Sequence, residues 1–380
     1  MQPTAGKRRV VSPPSGDVRL AVLSDGEVLA VSTDADLVLT ARNQPDDAFF
    51  SILDRDADRW RSAGTPAVTG REGSVTPLAD GRVLLVGGIV EAACPPPGAS
   101  TARAHVESCF AALSRADLWD PRTSSFETAS PLKRARFGHA AIRLDDGRVL
   151  VVGGWSLPAA SQTRGKQIGV PREDATALDT TEIFDSATNR WVSGPPLHSA
   201  RADVAAQQLE DGRILIVGSG GAEVLDPRQG TSSVLPGAPA WTRALVVPLA
   251  GDRALAIGLV EGSARVQAAV HDPRTSTWSD APGLIVDRPL AAVRLKAPDM
   301  RVAIVQPHSI VLWDPERGTS VEDPLTQVRD VAAAAVLPDG RVLVAGGATY
   351  EQTGAGGNDR KCLTVGSAAP PELWRAPPVP

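Results

Sequence analysis

With 380 residues, 42% of them hydrophobic, the chain is long enough for two or three ordinary domains or for one large all-β unit. A formal net charge of −5 gives no footprint for a nucleic-acid partner, and no stretch reaches the roughly 18 apolar residues of a membrane-spanning helix. Thirty-five glycines and 32 prolines, spread throughout, exclude a mainly helical protein and predict many short elements joined by tight turns.

Taken in chain order, the sequence opens with MQPTAGKRRVV, which lacks the apolar core of a secretory signal. The segment SDGEVLAV at Ser24 then reads as an Asp-Gly hairpin turn feeding an apolar strand, and ILDRDADRW (Ile52 to Trp60) as a strand, a turn and an outer strand opened by an aromatic residue. DGRVLLVGG follows from Asp80 and LWDPRTSSF from Leu118. Between them lies CPPPGASTARAHVESC, a proline-rich loop bracketed by Cys94 and Cys109. A disulfide there would close a loop whose chain-entropy value is about 3 kcal/mol and would require an oxidising compartment; the alternative is two free surface thiols. The third cysteine, Cys362, is expected to be unpaired.

The same two phrases then recur. DGRVLVVGG from Asp146 is followed by IFDSATNRW, DGRILIVGS from Asp211 by VLDPRQGTS, and DGRVLVAGG stands at Asp339. AGDRALAIG at Ala250 and APDMRVAIV at Ala297 are degenerate copies of the first phrase, followed by VHDPRTSTW and LWDPERGTS. Asp can bond its own backbone two residues on, and Pro fixes φ, so the second phrase is a turn between two strands. Each unit therefore supplies four antiparallel strands, and turns at Asp25, Asp80, Asp146, Asp211, Asp252, Asp299 and Asp339 number seven units.

The apolar run into Gly-Gly, the Asp-Pro turn, and paired large residues such as Phe184 and Trp191 resemble the Kelch family, to which the galactose oxidase central domain is also similar. The resemblance implies an all-β fold, a seven-bladed β-propeller with blades near 15–64, 65–130, 131–196, 197–236, 237–282, 283–324 and 325–376. It covers essentially the whole chain. The family's usual Tyr before the Asp-Pro turn is absent, its place taken by Leu53, Trp119, Phe184, Leu225, His271 and Trp313. Because the last blade ends without an outer strand, and Arg9 to Pro14 resembles the outer strand at Trp191 to Pro196, residues 7–14 are expected to close the ring as that strand.

Chemistry must then be sought in residues that the blades do not need. The segments between the second and third strands are short in blades four to six. They are long in blades two (Ile89 to Arg115), three (Trp155 to Asp179) and seven (Ala348 to Pro370), with blade one intermediate (Ser32 to Ala48), so the long loops gather on one side of one face. On that face an arginine precedes the first strand of six blades: Arg71, Arg136, Arg201, Arg243, Arg288 and Arg329. Guanidinium groups there suit an anion, although the resemblance implies that such arginines bond neighbouring-blade carbonyls. His139, beside Arg136, completes the candidate ligand-binding set.

The five histidines and three cysteines show no metal-ligand spacing, so no metal or cofactor is expected. The copper oxidases among the family's relatives need two tyrosine ligands, and this chain has only Tyr350. Sialidase-type turns are also missing. The resulting expectation is a monomeric, non-enzymatic module, periplasmic, extracellular or at the cell surface (the alternative being cytoplasmic), binding a protein or glycan through the loops of blades seven, one, two and three. The alternative is an enzyme on an acidic small molecule, such as a sugar-acid isomerase, with arginines holding the carboxylate and His139 or Glu72 moving protons.

Overall fold

The computed structural model describes residues 18–32, 50–54, 59–64, 70–92, 106–157, 161–164, 174–352, 363–368 and 370–378. These form a seven-bladed β-propeller, all-β apart from one 3-10 turn at Ala250–Asp252 among the described residues. Blade one is the antiparallel sheet Val18–Val22, Val28–Ser32, Phe50–Leu53 and Trp60–Ser62, and five further four-stranded sheets follow the same plan. Blade seven has three described strands, Ala333–Val336, Val342–Ala345 and Glu372–Trp374. Residues 7–14, expected to complete it, lie outside the described residues, as do Cys94 and Cys362.

The repeated phrase makes the hairpin at the heart of each blade. In Asp80-Gly81-Arg82 the Asp80 carboxylate accepts the Arg82 backbone N–H at 3.0 Å, and the Arg82 guanidinium closes back on the same carboxylate at 2.7 Å. Asp146–Arg148, Asp211–Arg213, Asp299–Arg301 and Asp339–Arg341 repeat that ion pair. The glycine between them is at positive φ in Gly26, Gly81, Gly147, Gly212 and Gly340, which is why an Asp-Gly pair is written there. The strand after each turn is buried over most of its length, and wholly so in Val149–Val152 and Val342–Ala345, because it sits between its own sheet neighbours and the faces of two adjacent blades.

Seven apolar clusters, one between each pair of neighbouring blades, hold the ring together. Blades one and two share Leu29, Ile52, Val83 and Trp119; blades two and three share Leu84, Leu118, Val149 and Phe184; blades seven and one share Leu343, Leu337, Val18 and Val28. Tryptophan Nε1 groups add stitches between blades: Trp119 donates to Ala63 O at 2.9 Å, Trp191 to Ser130 O at 2.6 Å and Trp313 to Pro282 O at 2.9 Å. The Gly-Gly pairs serve the same junctions. Gly88 N donates to Arg136 O and Gly154 N to Arg201 O, and a Cβ on Gly87 or Gly153 would stand 2.5 Å from those carbonyl oxygens.

The long segments of blades two, three and seven are strand-bearing insertions on the face where the inner strands begin. Ile89–Ala92 pairs with Val106–Ala112, which pairs in turn with Ser161–Arg164 of blade three, so one small sheet bridges two blades. Beneath it an eighth cluster of Ile89, Phe110, Phe137 and Leu157, with Trp155 packed against it, roots these insertions beside the axis.

Candidate functional site

On the insertion face the chain enters four of the inner strands through one left-handed residue. Glu72, Gly138, Asp203 and Arg243 stand at this position in blades two to five, with φ of 56°, 58°, 52° and 52°. Backbone hydrogen bonds link three of them around the axis: Gly138 N donates to Glu72 O, and Asp203 N to Gly138 O, both at 2.9 Å. A left-handed residue turns its side chain out of the blade, so consecutive blades present consecutive side chains to the axial opening.

There they line an open pocket of about 460 Å³ together with Arg19, Ser74, His139, Val204 and Val331. Around the ring the charges run Arg19, Glu72, Asp203, Arg243, with Gly138 and His139 between the two acids. The carboxylates converge. A Cβ placed on Gly138 would meet Asp203 Oδ1 at 2.9 Å, Glu72 Oε2 at 3.2 Å and Trp155 Cδ1 at 3.2 Å. Trp155 Nε1 donates to Asp203 Oδ2 at 3.3 Å, and the other Asp203 oxygen is the one packed against Gly138.

His139 forms the pocket's lower wall. Its Nε2 lies 2.9 Å from Ser74 Oγ, and burial, reinforced by the positive charges of Arg136 and Arg19, lowers its pKa to about 3. The ring is therefore neutral at physiological pH and acts as a fixed hydrogen-bond partner of the Ser74 hydroxyl.

The six arginines divide. Arg136, Arg201 and Arg329 are at most 1% exposed and do not face the pocket. Arg136 donates to Gly153 O at 2.8 Å, Thr180 O at 3.0 Å and Glu182 Oε1 at 2.8 Å; Arg201 to Gly221 O and Glu223; Arg329 to Gly346 O and Glu372. These are carbonyls and glutamates of the arginine's own blade, not of its neighbour as the family resemblance implied. Arg71 pairs through its backbone with Ile89, as Phe137 pairs with Trp155, so Arg71 sits one position beyond Arg136 and Gly70 takes the clamp position. Arg288 is likewise one position on and donates to Asp330 O at 3.3 Å. Arg243, two positions on, alone among the six lines the pocket. Arg19, Asp203 and Ser74 were not among the candidates, and Glu72 entered only as a proton carrier in the alternative enzyme reading. The signal that finds Glu72 and Asp203 is their spacing from the leucine ahead of each turn, which is six residues for Glu72, Gly138, Asp203 and Arg243 alike.

At the opposite mouth of the channel, a second pocket of about 540 Å³ is lined by Val22, Leu23, Pro77, Leu78, Ile142 and Arg143. It holds one charge and no acid–base pair. Among the described residues no three His, Cys, Asp or Glu side chains are arranged to hold a metal ion, and no helix is long and apolar enough to cross a membrane.

No family model and no curated protein matches the chain. Among solved structures it is similar to a fungal alcohol oxidase of the AA5 family, in complex with copper: the TM-score is 0.58 at 14% identity, over 90% of this chain and 72% of that one. The likeness is one of fold. Copper is well suited by imidazole ligands, whereas this pocket offers one histidine whose Nε2 is already engaged by Ser74, so the residues present do not fit that metal. The expectation of a non-enzymatic loop-wall module is corrected here. The similar fold belongs to an enzyme, and the inner strands meet around a charged axial pocket of about 460 Å³.

Proposed function

We propose that the axial pocket is the active site of an enzyme that isomerises an acidic small molecule of sugar-acid size by proton transfer. The observation that carries this reading is the convergence of Glu72 and Asp203 over Gly138, between Arg19 and Arg243. Guanidinium groups hold a carboxylate and neutralise it, which makes the neighbouring C–H more acidic. One carboxylate takes the proton from the carbon beside the substrate carboxylate, the bonding pair moves into that carboxyl group as an enediolate, and the facing side chain in its carboxylic acid form returns a proton to the other face of the same carbon, inverting it. No electrons leave the substrate, so the step balances with the side chains in the pocket alone. His139 is too weak a base to move that proton. Its role is to orient Ser74, and the acid–base work falls to Glu72 and Asp203. The repeats support placing the chain among Kelch-type propellers.

The test is proton NMR in D2O with a panel of aldonic and uronic acids. Washout of a carbon-bound proton from at least one acid is expected, slowed at least about a hundredfold by Glu72→Gln, with Arg243→Ala raising KM more than it lowers kcat. Failure of every acid to exchange would remove the reading.

A further inference from the structure

Two positions of the inner strand set blades two and three apart from the rest. Ser74 opens its strand opposite Val86, and the residues in register with it in the other blades are Arg19, Ala140, Ala205, Leu245, Ala291 and Ala333. His139 stands one step earlier in its own strand, where the other blades place valine, glycine, alanine or leucine. A blade therefore needs neither polar group. Yet the two side chains meet across the junction of blades two and three, His139 Nε2 to Ser74 Oγ at 2.9 Å, on the wall of the axial pocket. The imidazole is seated from behind by Gly87, where a Cβ would stand 2.9 Å from His139 Cε1.

The contact has a direction. His139 Nδ1 is buried and has no hydrogen-bond partner. An orphaned N–H is the rarer defect in folded proteins, compared with an acceptor left unmet, so the hydrogen-bond network assigns the proton of the neutral ring to Nε2, and Ser74 Oγ accepts it. This is the one side-chain hydrogen bond of Ser74 among the described residues, and it leaves the hydroxyl's own proton to be given to the pocket. The same tautomer supplies Ser74 with no base, so the hydroxyl is a donor and not a nucleophile. Resting on the reading of the pocket as a proton-transfer site, we propose that Ser74 is the neutral donor of that reaction, its O–H bonding the substrate carboxyl oxygen on which charge grows as the enediolate forms. His139 is a positioning residue that fixes the direction of the hydroxyl. No bond to Ser74 forms or breaks, and its dipole is in place before the charge develops.

Two measurements test this, and the first needs no substrate. In the full chain labelled with 15N-histidine, a long-range 1H–15N correlation spectrum at pH 7, with the His139 signals identified by their loss in His139→Gln, is expected to show the proton on Nε2 and a bare Nδ1. A proton on Nδ1 overturns the proposal and leaves the proton-transfer reading standing. The second is the D2O washout with Ser74→Ala, a substitution that four other blades already carry in this register. It should lower kcat about a hundredfold, as loss of one donor to a developing oxyanion does, while KM changes about twofold or less, because the bond strengthens only as charge builds. Ser74→Thr, which keeps a hydroxyl, should recover most of the rate. Washout by Ser74→Ala at the unaltered rate overturns the donor and leaves Glu72 and Asp203 as acid and base. Failure of the unaltered protein to exchange any acid overturns both.

Discussion

A histidine that is 8% exposed and bonded through one nitrogen to Ser74 carries a consequence for stability. His139 takes up a proton near pH 6.5 in the unfolded chain, but in the folded protein only at about 3, because burial first, then the charges of Arg136 and Arg19, oppose protonation. A folded pKa below the unfolded one contributes stability that is complete above about pH 6.5 and is lost as pH falls toward 3, at up to about 1.4 kcal/mol per pH unit. His271, 1% exposed and packed on Trp278, is shifted in the same direction by burial and adds to this acid limb. The turn aspartates, such as Asp120 and Asp146, have carboxyls lowered chiefly by bonds from Arg122 and Arg148, so their contribution is lost only below about pH 4. His139→Gln can keep a donor for Ser74 without titrating. Its denaturation midpoint should fall less between pH 7 and pH 4.5 than that of the unaltered protein; equal falls would show that His139 is not held neutral. This single-residue burial was not readable from the sequence, where His139 stood beside Arg136 as a candidate for ligand binding and for proton transfer. The arginine series was misaligned for a related reason. Counting back from the leucine before each turn, Arg136, Arg201 and Arg329 lie eight residues away, Arg71 and Arg288 seven, and Arg243 six. Side chains one step apart along an entering chain point to different places, so a shared residue type did not mean a shared role.

Within a blade, the arginine that enters the inner strand clamps the glutamate of the third strand. Glu182 accepts from Arg136 and also from the backbone N–H groups of Lys133 and Arg134, at 2.7 and 3.2 Å, and Glu223 and Glu372 repeat the arrangement with Arg201 and Arg329. Blade five solves the same position without charge: Trp241 packs in one apolar cluster with Ala269, and its Nε1 donates to Gln267 O at 3.0 Å. Arg136→Met leaves Glu182 buried and unpaired, at a cost of about 3 to 5 kcal/mol. Adding Glu182→Gln keeps an oxygen for both backbone amides and removes the charge, so the double variant should recover most of the loss in a guanidinium titration. A double variant no more stable than Arg136→Met would refute the clamp. The hairpins themselves were legible from the alternation of Asp-Gly turns and buried runs, because turn chemistry is local. The clamp was not, because Arg136 and Glu182 are 46 residues apart in the chain and meet only when the blade is formed.

At the scale of the whole ring, each blade covers the outer face of its third strand with a fourth, and one equivalent position records whether that has happened. Ile52, Leu118, Ile183, Val224, Val270 and Leu312 in blades one to six are between 0% and 8% exposed, whereas their counterpart in blade seven, Leu373, is 38% exposed. On either side of Leu373 the strand is held as elsewhere, by Glu372 bonded to Arg329 and Trp374 Nε1 bonded to Asp323. The opening is therefore confined to the edge of Glu372–Trp374, where blade seven has no fourth strand among the described residues. An exposed strand edge with an apolar side chain calls for a partner, and the sequence Arg9-Val10-Val11-Ser12-Pro13-Pro14 has the composition of the outer strand Arg190-Trp191-Val192-Ser193 with its following prolines. Covering Leu373 alone is worth roughly 1 to 2 kcal/mol, and the added ladder bonds fasten blade seven across its junction with blade one. Deleting residues 1–14 should therefore lower the melting temperature by a margin well outside measurement error. A synthetic peptide of residues 1–16, added in excess, should restore part of the loss by mass action, and the same peptide with Val10 and Val11 changed to aspartate should not. If the truncated chain melts at the unaltered midpoint, residues 7–14 do not close the ring, and the edge of blade seven must be satisfied in some other way.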